Sequence, residues 1–187
     1  MKSLREQFED DYAAVSVPSR GRAGFKIRYV YYAPWYLWDM PEPELKMKKW
    51  LLAGASAASL LLLLITGTRQ NGINSYIPVE LAGTFALCAH VLESFGMFQF
   101  LAAGYRTSRM TYSGIDRILG IVPLIRGLCL IQAAAGGFYY MLQETFSWGT
   151  ALAASGYLAC ALMALYIFRE YRRIPLRTEK NDSLERV

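Results

Sequence analysis

Residues 50–68 read WLLAGASAASLLLLLITGT, an uninterrupted run without a charge. At about 1.5 Å of rise per residue, a helix of this length extends about 28 Å, close to the roughly 30 Å hydrocarbon thickness of a bilayer. A helix on the surface of a soluble core would carry a charged stripe opposite its apolar one, and this run has none. It is therefore read as a membrane span. Working outward, residues 77–103, 118–143 and 149–168 have the same character and a similar length. Short connections join all four, which makes antiparallel neighbours the economical arrangement. The expected fold class is an all-α integral membrane protein, a four-helix transmembrane bundle running up-down-up-down.

The distribution of polar residues supports this reading. Of 187 residues 54% are hydrophobic, and they crowd into the middle of the chain. Three units result: a charged N-terminal segment, 1–48, a transmembrane domain, 49–168, and a basic tail, 169–187. The start, MKSLREQFEDDYAAVSVPSRGR, has no apolar stretch behind its basic residue, so no secretory signal is expected and span one should act as an uncleaved insertion signal. The net charge of +5 does not point to nucleic acid, because the basic residues flank hydrophobic runs instead of gathering on one folded face. Eighteen of the twenty lysines and arginines lie before span one, between spans two and three, or after span four. The loops on the other side contribute only Arg69, and Arg126 lies within a span. Because such charges collect on the cytoplasmic side, both termini are expected there, in a multi-pass protein of the cell membrane.

Local punctuation sets more detailed expectations. Pro78 stands near the start of span two, where a missing N–H costs nothing. Ser113-Gly-Ile-Asp116 has the capping-box form, predicting that span three begins near Gly114, so that Pro123 falls inside that helix and bends it. Asp39 is placed to cap a helix from about Met40. Residues 25–38, FKIRYVYYAPWYLW, begin with strand-like alternation and break at Ala33-Pro34. Their aromatic density, with Trp35, Tyr36 and Trp38, predicts a segment lying at headgroup level. Arg169, Arg172 and Arg173 in the basic tail extend the same interface contact, and an anionic lipid is a possible partner for them.

The sharpest chemical feature is ionisable groups at membrane depth: His90 and Glu93 in span two, Arg126 in span three, with Gln132 nearby. His90 and Glu93 are three apart and share a helix face. Counting rise per residue puts Glu93 about 24 Å from the outer end of its span and Arg126 about 12 to 18 Å from the inner end of its own, so the two can meet. They then either fix the register of two helices as an ion pair or line a polar site, near the Pro123 bend, that binds an anion or relays protons. No cofactor or metal is expected. His90 is the only histidine, and Cys88, Cys129 and Cys160 all lie in apolar runs with no CxxC.

Hydrolase, metalloprotease and phosphate-loop signatures are missing from the sequence. The leading functional expectation is a non-enzymatic accessory or structural subunit that partners the bilayer and other membrane proteins, or copies of itself. The alternative is a small oligomeric transporter or channel-like conduit using Glu93, Arg126 and His90.

Overall fold

A computed structural model describes residues 10–18, 25–68, 72–143 and 146–181. Its frame is four helices long and apolar enough to cross a membrane. The first, α1, covers Glu42–Gly67, and α2 covers Ile77–Ala102 after a short 3₁₀ turn at Gly72–Ser75. A shorter helix, α3 (Arg109–Leu119), precedes α4 (Val122–Gln143), and α5 (Trp148–Arg172) closes the bundle. The most extensive packing is between α4 and α5 and between α2 and α4, while α1 leans on α5. The α1–α2 seam is the loosest.

Helix starts follow proline and hydroxyl chemistry, and three expectations are corrected. Pro41 rather than Asp39 caps α1, and the prolines flanking Glu42 suit a first turn whose N–H groups are unpaired anyway. The Asp39 N–H instead bonds Pro175 O at 3.0 Å. Helix α3 starts well before Gly114, because the Ser108 hydroxyl accepts from Thr111 N at 3.3 Å, and Ser113 lies inside the helix. Pro123 does not bend an interior turn. The chain breaks at Gly120–Ile121, and Pro123 occupies the first turn of α4, where its missing N–H leaves nothing unbonded.

The all-α expectation omits a small β layer. Strand β1 (Tyr12–Pro18) pairs antiparallel with β2 (Phe25–Tyr31) as a hairpin. Strand β3 (Trp35–Trp38) is the centre of a second sheet, antiparallel both to β4 (Arg106–Thr107) and to β5 (Leu176–Glu179). The chain before α1, the α2–α3 connection and the chain after α5 therefore meet at one end of the bundle, the sheet end. An even number of crossings between these segments requires this.

Buried side chains form two cores. One, toward the sheet end, gathers Trp38, Leu52, Met97, Phe100, Leu119 and Ile167. The other is built of small residues around Leu63, Ile73, Ala86, Ala133, Ala154 and Ala161. Outside them, Leu61, Phe85, Val91, Phe95, Phe98, Ile125, Leu128, Phe138, Leu152 and Leu162 are exposed. So large an apolar belt has no place on a soluble monomer and fits contact with lipid, as in a multi-pass membrane protein.

Candidate functional site: a polar waist between two cores

Helices α1, α2 and α5 change core partway along their length, and at that level the bundle carries its buried charge. Leu52 of α1 belongs to the sheet-end core and Leu63 to the other, with Ser56 between them. In α2 His90 and Glu93 separate Ala86 from Met97 in the same way, and in α4 Arg126 precedes Leu130. Glu93 Oε1 accepts from the Ser56 hydroxyl at 2.9 Å. Its other oxygen lies 3.3 Å from Arg126 Nε, with both side chains 0% exposed. Arg126 also hydrogen-bonds His90 Nδ1 through Nη1.

This arrangement fixes protonation by geometry. A guanidinium has donors only, so Nδ1 of His90 must be the acceptor, and the neutral ring then carries its hydrogen on Nε2. Arg126 and Glu93 balance each other, leaving the waist without net charge. Removing one member would leave an uncompensated ion in a medium where a single unpaired charge costs at least about 2.5 kcal/mol even on insertion scales. The set is not saturated, because Arg126 Nη2 has no hydrogen-bond partner.

The other residues singled out from sequence do not join this cluster. Gln132 lies near the middle of α4 but is exposed on the apolar belt. Trp38 is enclosed by protein. It is 2% exposed and packs edge-on against Phe100 and Tyr112, at centroid distances of 5.3 and 5.7 Å. Tyr36 stacks on Tyr112 at 4.9 Å, and Trp35 lies under the Arg106 guanidinium at 5.6 Å. Strand pairing through β3 draws all three inward. Arg172 donates to Gly120 O at 2.9 Å and thereby braces the α3–α4 break, whereas Arg173 bonds Glu170 at 2.9 Å and Arg169 is exposed.

Two participants had no distinctive sequence signal. Ser56 reads as one more small residue in an apolar run. Lys49 reads as an ordinary basic flank, yet it is buried, donates to Ala103 O and sits 5.0 Å over the Phe100 ring.

On the α1–α2 seam the waist opens into a groove of about 450 Å³. Trp50, Gly54, Ala57 and Leu60 of α1 form one wall, and His90, Ser94, Met97 and Phe98 of α2 form the other. A second, more polar hollow of about 340 Å³ continues it toward the sheet end, sharing Trp50 and Leu101 and adding Lys46 and Lys49. Among the described residues no three His, Cys, Asp or Glu side chains gather as a metal site would need.

Comparison with known proteins gives no match: no family model, no characterised protein and no solved structure resembles the chain.

Proposed function

We propose that the chain is a non-enzymatic accessory subunit of a membrane complex, docking against a helix of another membrane protein through the outer face of α4. The observation that carries this reading is Gln132. Its side chain is exposed about 15 Å from either end of α4, among exposed Leu128, Ile131 and Phe138. Two amide donors and a carbonyl at that depth meet hydrocarbon, in which they cannot be solvated. A polar side chain on a facing helix satisfies them, and such interhelical bonds recur in membrane assemblies. The hairpin β1–β2 offers a second contact outside the membrane. Ile27 and Tyr29 are exposed there, while Tyr31 and Asp11 hold the hairpin to Arg109 and Asn181. The basic-residue bias supports placement in the cell membrane with the sheet end cytoplasmic, where Arg169 can meet anionic lipid.

The conduit reading draws on the meeting of His90, Glu93 and Arg126 at membrane depth. Against it, Glu93 and Arg126 are sealed within the bundle, and of the three only His90 borders the α1–α2 groove. One purification in mild detergent separates the readings. A protein copurifying in fixed ratio, lost in Gln132→Leu while thermal stability is unchanged, is the expected result. A self-assembled oligomer with pH-dependent flux in liposomes, unaffected by Gln132→Leu, would favour the conduit.

A further inference from the structure

We infer that the α1–α2 groove is a binding site for a neutral lipid of the quinone class, with a ring carbonyl accepting a hydrogen bond from His90 Nε2. The site lies on different helices from the Gln132 face and does not depend on it.

Three observations select the ligand. First, His90 is a committed donor. Arg126 occupies Nδ1, so the free N–H is Nε2, and among the described residues no acceptor is bonded to it. A donor whose ring is polarised by a neighbouring guanidinium bonds an acceptor more strongly than an isolated imidazole does. Second, depth excludes ordinary membrane lipids. His90 is thirteen residues from the start of α2 and twelve from its end, so it stands about 18 Å from either end of the helix. Phospholipid ester carbonyls stay near the headgroups and cannot reach it, whereas a prenylated ring that is apolar apart from its carbonyls can. Third, charge favours a neutral ligand. The Arg126–Glu93 pair is internally balanced, so an anion arriving beside it would be uncompensated.

The groove has the capacity and shape for such a molecule. Its volume of about 450 Å³ lies within the usual range for small-ligand sites. Ala57 and Ser94 leave room for a flat ring beside His90, and Gly54 leaves the wall open, with no atom within 4 Å of where its Cβ would stand. From Leu60 to Trp50 the groove runs about 15 Å toward the sheet end, a course for the apolar tail.

The test uses the full-length protein in detergent micelles, titrated with decyl-ubiquinone and read by tryptophan fluorescence, Trp50 being the groove's own reporter. Saturable quenching is expected, weakened about tenfold or more by His90→Phe and by Gly54→Leu. Gly54→Leu fills the groove without touching the polar waist, so it remains decisive if His90→Phe fails to fold. Dodecane, which has the tail but no acceptor, should not compete. The proposal is overturned if quenching is non-saturable, if Gly54→Leu quenches like the unaltered protein, or if dodecane displaces the quinone. It is equally overturned if the groove proves to be occupied by a partner's helix.

Discussion

The α4–α5 seam and the α1–α2 seam join helices of similar length and composition by different means. Between α4 and α5 small residues let the helices approach closely: Gly137 stands against Ala154 and Gly127 against Leu165 and the Ala161 carbonyl, with Ala133, Ala134 and Ala153 buried in the same core. In a membrane, where lipid is as apolar as leucine, such close packing supplies the association energy. Between α1 and α2 little packs, and two polar contacts span the gap, Ser56 to Glu93 and Lys49 to Ala103. A packed seam resists added volume and tolerates no space for a guest. A clasped seam tolerates volume, leaves a groove open, and depends on a few charges being complete.

The largest effect should follow from breaking the polar waist on one side. Arg126→Met leaves Glu93 buried with only the Ser56 hydroxyl, and a loss of about 3 to 5 kcal/mol is expected, visible as a large fall in melting temperature in detergent. Pairing it with Glu93→Leu removes both charges and should recover most of that loss. A double variant as unstable as the single one would show that the pair, and not merely its charge balance, holds the waist together. The cycle of four proteins measures that coupling directly.

The bundle and the waist differ in how much of each the sequence reveals. Four spans are legible because period, length and absence of charge agree over about twenty residues each. The meeting of span two and span three polar residues follows from counting rise, since a membrane fixes where each helix begins. The α3–α4 break is not legible, because residues 109–143 satisfy a single helical pattern and Ser113 looks like a cap as good as Ser108. Only the path across α2, with Ile118 and Leu119 pressed against Gly96, distinguishes them. Strands β4 and β5, two and four residues long, have no local signal at all and exist because β3 lies between them. The burial of Trp38 is illegible for the same reason, since it depends on partners about 60 to 130 residues away, Phe100, Tyr112 and Tyr171 among them. The groove is likewise invisible in sequence, being a consequence of packing that does not happen.

The packed seam should yield the next largest effect. A Cβ at Gly137 would stand 2.4 Å from Ile73 Cδ1 and 3.1 Å from Ala154 Cβ, so the Ile73 side chain would have to move and Ala154 to give slightly before any side chain fitted. Gly137→Leu is expected to cost about 3 kcal/mol, the upper end for overpacking, and to lower the melting temperature without altering the response to Arg126→Met. If the two substitutions prove strongly non-additive, the cores on either side of the waist are one unit and the contrast between seams is too sharp.

The smallest effect sharpens the comparison most. Gly54 has the same residue type in the same kind of helix, but a Cβ there meets nothing within 4 Å. Gly54→Ala therefore adds no clash and removes backbone freedom from the unfolded chain, so it should leave stability unchanged or raise it by up to about 1 kcal/mol. Matched melting curves of Gly54→Ala and Gly137→Ala make the measurement. Opposite signs are expected, because volume added to the clasped seam enters an open groove while volume added to the packed seam displaces Ile73. Equal losses at both positions would mean that α1 and α2 close on each other in the membrane, and with that closure the room beside His90 would be gone.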